Sequence, residues 1–243
     1  MDDQLAGKTV LVTGAARRVG RILALACARA GADVVIHHGH SESAALEVRE
    51  EIAALGRRAH IVAADLSDSA QVAALIDRVS EFGALYGLVN SAAIFEPLRW
   101  DTTTTADWER HLAINLTAPF LLSQAFSRQV PDGREGRIVN ILDWRALRPG
   151  ADHLPYTVTK AALAALTKSL AAALAPSVLV NGLALGAVLP PADGTADARI
   201  LKNVPLGRWA NPEDVGRALV FLLAGPAYIT GEIIHVDGGR HLI

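Results

Sequence analysis

Val12-Thr13-Gly14-Ala15-Ala16-Arg17-Arg18-Val19-Gly20 decides the fold. The β-branched run from Lys8 to Thr13 precedes it, and an alanine- and leucine-rich run from Val19 to Ala30 follows. The segment therefore reads as strand, turn and helix. Gly14 permits a sharp turn off the strand, and Gly20 lets the helix pack close to the sheet. The free backbone amides at the helix start, from Arg17 to Gly20, suit a pyrophosphate. A glycine-rich turn alone is a weak signal, and its strand–turn–helix setting early in the chain gives it weight.

The same alternation continues outward. Strands are expected at 34–38, 59–63, 85–90, 137–142, 178–183 and 232–236. Helices are expected at 42–55, 71–82, 105–130, 156–175 and 212–223. Strands alternating with helices predict an α/β fold: a doubly wound Rossmann domain over 1–243, with a seven-stranded parallel sheet covered by helices on both faces. The least regular stretch is Gly186 to Asn203, with Pro190 and Pro191. It reads either as a substrate lid or as a plain surface loop.

Of the 243 residues 51% are hydrophobic and 20% charged, and the net charge is −2. That composition is globular, and it gives no electrostatic reason to expect nucleic acid. No run of apolar residues is long enough to span a membrane. Met1 to Lys8 lacks a secretory pattern, so a cytoplasmic protein is expected. The single cysteine, Cys27, lies among apolar helix residues and reads as core. No His, Cys or Asp cluster has metal-ligand spacing, so no metal is expected.

The second strand runs into His38-Gly39-His40-Ser41. An NAD site usually has an acid there, about twenty residues past the turn, to hold the ribose 2′-hydroxyl. Asp33 is at the wrong end of the strand, and Glu42 follows the loop. Arg17 or Arg18, with His38, His40 and Ser41 opposite, instead suit a 2′-phosphate, so NADPH/NADP+ is the expected cofactor. The alternative is that the loop histidines are merely solvated. Asp65, with Leu66 beside it, closes the third strand and either accepts from an adenine amino group or caps the next helix. Asn90-Ser91-Ala92 closes the fourth strand with small residues, which lets ribose and nicotinamide lie close to backbone.

Tyr156-Thr157-Val158-Thr159-Lys160 opens an alanine-rich helix, and its spacing puts Tyr156 and Lys160 on one face. A free tyrosine, with a pKa near ~10, is a poor acid–base group at neutral pH. A nearby ammonium is expected to lower that value and fit the pair for proton exchange with a small-molecule substrate undergoing hydride transfer.

With these pieces in this order, the chain resembles the short-chain dehydrogenase/reductase family over essentially its full length. The resemblance is carried by Thr13-Gly14 to Gly20, Asp65, Asn90-Ser91-Ala92, Asn115, the strand Arg137 to Ile141, Tyr156 with Lys160, and Val180-Asn181. It implies that Tyr156 is the general acid, that Lys160 holds ribose and tunes the tyrosine, and that Asn115 anchors a proton-relay water. It also implies a homotetramer packed through the long helix and the Tyr/Lys helix. Three positions depart from the family pattern. Arg18 stands where a third glycine is usual, Asp143 where a serine is usual, and Leu185-Gly186 where Pro-Gly is usual. The first two departures together resemble pteridine reductases and dihydromonapterin reductases, as does the ending Asp237-Gly-Gly-Arg-His-Leu242. Phe95 matches the aromatic that stacks on the pterin, and Arg18 is implied to reach both pyrophosphate and pterin. The Leu185 departure bears on the backbone of Gly186 beside the nicotinamide carboxamide.

The chemistry agrees with a pterin-type C=N substrate. A ketone reductase wants a neutral hydroxyl beside developing negative charge. An ionised Asp143 would repel an alkoxide and raise the Tyr156 pKa, whereas it favours a ring nitrogen that is gaining a proton. A flat pterin also suits Phe95. Against this stand a generic carbonyl reductase in which Asp143 is a structural substitution, and a non-catalytic NADP-binding sensor. Phe95 alternatively packs under a loop. Of the remaining polar and aromatic residues, Trp144 either lines the pocket or buries area, as Trp100, Trp108 and Trp209 do. His153 is expected at the surface, and His111 is expected to be structural.

Overall fold

The β-branched runs form seven parallel strands: β1 Thr9–Val12, β2 Asp33–His38, β3 Ala59–Ala63, β4 Gly87–Asn90, β5 Gly136–Asp143, β6 Val178–Leu185 and β7 Ile233–Val236. They join in the order β3-β2-β1-β4-β5-β6-β7. The helices are α1 Arg18–Arg29, α2 Glu42–Ala54, α3 Ser69–Ser80, α4 Thr105–Leu112, α5 Ala118–Gln129, α6 Leu154–Leu174, α7 Ala198–Lys202 and α8 Pro212–Ala224. This computed structural model describes residues 3–131, 133–190 and 198–243. The centre of the expected loop, 191–197 with Pro191, therefore lies outside the described residues. Among the described residues, no helix is long and apolar enough to cross a membrane.

Alternation along the strands divides the core into layers. Val10, Val12, Val34, Ile36 and Val139 face α1, α2 and α8. Leu11, Val35, Leu88, Ile138 and Val180 face α3 and α5. A smaller cluster beneath α6 joins Leu142 and Ala184 to Leu163 and Ala164. Both faces are thus covered, and the inner strands bury both of their sides, whereas the edge strands β3 and β7 are only partly buried. Cys27 belongs to the first layer, and burial pushes its thiol up to about 12.

One expected helix, 105–130, is broken. A π-helical turn, Ala113–Thr117, separates α4 from α5. The cause is in the sequence. Pro119 has no N–H to donate to the Asn115 carbonyl four residues back, so the ordinary ladder cannot continue through it. The bulge falls on Asn115 and turns that side chain into the core, where it is fully buried.

Strand order reverses between β1 and β4, and the crevice opens at their carboxyl ends. Gly14 has φ +64, and a Cβ there would lie 2.9 Å from the Ala92 Cα. Thr13 ties the two strand ends together, since its Oγ1 accepts from the N–H of Ser91 and of Ala92 at 2.9 and 3.0 Å.

A second tie comes from β2. The Gly14 N–H donates to His37 Nδ1 at 3.1 Å, and His37 Nε2 lies 3.0 Å from the Ala64 carbonyl. Because Nδ1 must accept, the proton sits on Nε2, and the neutral ring bridges the glycine turn to the end of β3. Burial lowers this imidazole to about 4. The unfolded ring titrates at its ordinary 6.5. Between those values the unfolded chain holds a proton that the folded chain does not, so stability falls as pH falls. Urea unfolding at pH 7 and pH 5 should show the wild type losing about 2 kcal/mol more than His37→Gln. Equal losses in both proteins would mean that the ring is not held neutral.

Candidate active site

A cleft of about 1340 Å³ runs along the carboxyl ends of the strands. Its first half is built by the glycine turn. Gly14, Arg17, Arg18, Val19 and Gly20 line it, with Gly39, His40, Asp65, Leu66, Ser91 and Ala92. No side chain caps α1, so the amides of its first turn have no intrahelical or side-chain acceptor and face an anion site. Arg18 has φ +50, in the left-handed region that glycine favours, at a strain on the order of 1 kcal/mol. Its Nη2 donates to the Pro190 carbonyl at 2.9 Å. An arginine here therefore fills the glycine conformation and bridges the turn to the segment after β6. Gly186 also lines the cleft, and a Cβ there would lie 2.6 Å from the Asp237 Cα, which requires glycine.

These donors fit a dinucleotide carrying a 2′-phosphate. Asp33 is bound to Arg58, whose Nη2 lies 2.6 Å from Asp33 Oδ2 at the far end of β2. No acid stands at the near end, where His40 is exposed in the cleft.

Some expected residues lie elsewhere. His38 is buried and outside the cleft lining, because strand alternation turns His37 toward Gly14 instead. Ser41 also lies outside the lining, at the start of α2. Asn90 faces the core, where its Nδ2 donates to Asn140 Oδ1 at 2.8 Å. Asp65 lines the cleft but caps no helix. Its Oδ1 accepts from the Ser67 N–H and hydroxyl, and Asp68 caps α3 instead. Those two Ser67 hydrogen bonds lower its carboxyl below the usual range. Asn115, expected to hold a relay water, has both amide ends engaged by protein. Its Oδ1 accepts from Ile94 N–H at 2.9 Å, and its Nδ2 donates to the Ile94 carbonyl and to Thr159 Oγ1. The amide clamps the segment after β4 to α6.

The second half of the cleft holds the candidate catalytic residues. The Tyr156 hydroxyl donates to Asp143 Oδ2 at 3.3 Å. Asp143 ends β5, and its Oδ1 accepts from the Arg145 N–H at 2.9 Å, which fixes the carboxyl at the start of the turn Trp144–Ala146. Burial and then the charge of Asp143 hold the Tyr156 phenol well above its ordinary value, against the opposing charge of Arg145. The lowering expected from Lys160 is absent. Its Nζ lies 5.6 Å from the centre of the Tyr156 ring and donates to the Ile141 carbonyl at 2.6 Å. Burial lowers the lysine itself to about 8. The arrangement is a neutral tyrosine proton donor backed by a carboxyl, with a cation behind it.

Phe95 is 52% exposed and lines the cleft, so it does not pack under a loop. Its ring meets Tyr156 edge-on at 4.7 Å and His153 edge-on at 3.9 Å. His153, expected at the surface, is half-buried in the cleft wall with φ +51. Trp144 and Trp209 line the cleft, whereas Trp100 is 80% exposed. His111 is structural, fully buried with Nδ1 at 2.8 Å from the Asp107 carbonyl. Among the described residues, no cluster of three or more His, Cys, Asp or Glu is placed to hold a metal. Sequence reasoning missed His37, Arg145 and Arg240. The strand period carried a signal for the first, no local pattern marks Arg145, and Arg240 lies in the C-terminal stretch that carries the resemblance without a role of its own.

The family model described as enoyl-(acyl carrier protein) reductase matches residues 14–241. A relative from Aquifex aeolicus named 3-oxoacyl-[acyl-carrier-protein] reductase FabG is 38% identical and covers 98% of this chain and 99% of its own. Two solved structures are similar over nearly the whole chain. The FolM alternative dihydrofolate reductase 1 from Brucella canis, complexed with NADP, has TM-score 0.91 and 34% identity, covering 99% of this chain and 96% of its own. Its counterpart from Brucella suis, also with NADP, has TM-score 0.93 and 33% identity, covering 98% and 97%. With the glycine turn, the Tyr156/Lys160 helix and this full-length similarity together, the chain belongs to the short-chain dehydrogenase/reductase family.

Proposed function

We propose that the protein is an NADPH-dependent reductase of a pterin-type C=N bond, in a dihydropterin or dihydrofolate-like substrate. The observation that carries this reading is the contact of Asp143 with the Tyr156 hydroxyl, at the position where the family usually has a serine. The similar FolM structures, named alternative dihydrofolate reductases and complexed with NADP, support it.

NADPH, when bound, supplies the hydride. Arg17, Arg18 and His40 would hold its 2′-phosphate, the α1 amides its pyrophosphate, and Lys160 its nicotinamide ribose. Tyr156 keeps its proton at neutral pH, because burial and Asp143 both disfavour the phenolate. That proton is available to a substrate nitrogen, and Asp143 is the adjacent group through which it is replaced. The Asn115 side-chain amide is held by protein and is not the group that would hold a relay water. It positions α6, and hence Tyr156, through Thr159. Phe95, half-exposed beside Tyr156 and with the Arg145 guanidinium 5.7 Å from its ring centre, offers an aromatic surface for a flat substrate. The exposed Phe120 on α5 and Val158 on α6 agree with a homotetramer packed through those helices.

A second reading, reduction of a 3-oxoacyl or other ketone, is favoured by the name of the Aquifex relative. The aspartate argues against it, since a carboxylate beside a developing alkoxide is repulsive.

Tyr156→Phe should lower kcat for dihydrobiopterin by about 100-fold or more, as loss of a general acid does. Asp143→Ser should lower pterin turnover by a similar factor and leave ketone turnover equal or higher. Pterin turnover that is indifferent to Asp143→Ser sinks the pterin assignment. The cationic Lys160 sets an alkaline limit. kcat/KM measured under limiting NADPH should fall as pH rises through about 8, where the buried ammonium loses its proton. A profile flat to pH 10 would remove Lys160 from cofactor binding.

A further inference from the structure

A second cavity, of about 230 Å³, adjoins the cleft, and Trp144 and Arg240 line both spaces. Arg148 and Asn203 also face it, with Pro149 and Ile243 as apolar walls. Two guanidinium groups stack on Trp144, with Arg145 Cζ 4.7 Å and Arg240 Cζ 4.4 Å from the indole centre. The two cations differ in what they have left to offer. Arg145 Nη2 is 2.7 Å from Asp152 Oδ2, and its Nη1 is 3.5 Å from Asp143 Oδ1. Arg240 makes no ion pair among the described residues, and its Nε is buried without an acceptor. A guanidinium stacked on an indole uses its face and leaves its edge donors free for a carboxylate.

We infer that Arg240, with Arg148 across the second cavity, receives a carboxylate arm that the substrate carries beyond its reacting ring. The ring lies against Phe95 and Tyr156, and the arm passes Trp144 into the adjoining cavity. The identity of the ring rests on the pterin reading above. The arm site rests on the arginines alone. It makes the protein a selector of anionic over neutral substrates, which neither Tyr156 nor Asp143 can do.

The test has two arms. Calorimetry with the NADP+-saturated protein measures binding of p-aminobenzoylglutamate and of its uncharged diamide. The wild type should prefer the dicarboxylate, Arg240→Met should weaken that binding about tenfold, and Arg240→Lys should restore part of it. Arg148→Met should weaken it by a smaller factor. In turnover, the ratio of kcat/KM for dihydrofolate to that for dihydrobiopterin should fall about tenfold in Arg240→Met. Equal binding of dicarboxylate and diamide by the wild type, or binding unaffected by Arg240→Met, overturns the arm site. Arg240-dependent binding of the dicarboxylate in a protein that reduces neither pterin keeps the arm site and overturns the pterin reading.

Discussion

The constraint on which the rest depends is the bare backbone at position 14. β1 and β4 send their chains to opposite halves of the sheet, and a crevice opens only where their ends can pass close together. Gly14 and Ala92 come within a side chain's reach of each other, so any Cβ at position 14 would meet the Ala92 backbone. Thr13 and His37 then lock the turn from both sides, through β4 and through β3. The amides at the head of α1 are aimed by this arrangement and not by any charged side chain.

The other half of the cleft runs on charge held at short range. Asp143, Arg145 and Asp152 form a chain of opposite charges at the end of β5, and Tyr156 abuts it through a hydrogen bond. Burial and then Asp143 make the tyrosine harder to ionise, while burial makes the lysine one helical turn on easier to neutralise. A family site usually described as a lysine activating a tyrosine here becomes a tyrosine kept protonated by a carboxyl. That inversion follows from burial together with Asp143, and it suits proton donation to nitrogen better than stabilisation of an alkoxide.

Much of this was legible in the chain itself. Gly14, Gly20, Tyr156 and Lys160 act through spacings of a few residues, and the strands are built on short β-branched and apolar runs, so local pattern placed both. Side-chain direction was less legible. His37 and His38 are adjacent, and only the register of β2 against β1 and β3 decides which one meets Gly14. Asn90 and Asn115 both turn inward, because partners from distant strands and helices, Asn140 and Thr159, claim them. The break before Pro119 was readable from the proline alone. Arg145 and Arg240 both stack on Trp144 from segments far apart in the chain, a juxtaposition that no local pattern encodes.

The most direct test is a competition in one vessel. Wild-type protein, NADPH, dihydrobiopterin and acetoacetyl-CoA are mixed at equal substrate concentrations, and both products are quantified at early times. An aspartate-backed tyrosine acting on a C=N bond predicts that the pterin is consumed at least tenfold faster than the ketone, a discrimination of about 1.4 kcal/mol between the two transition states. Faster consumption of acetoacetyl-CoA would contradict it and assign the cleft to ketone reduction.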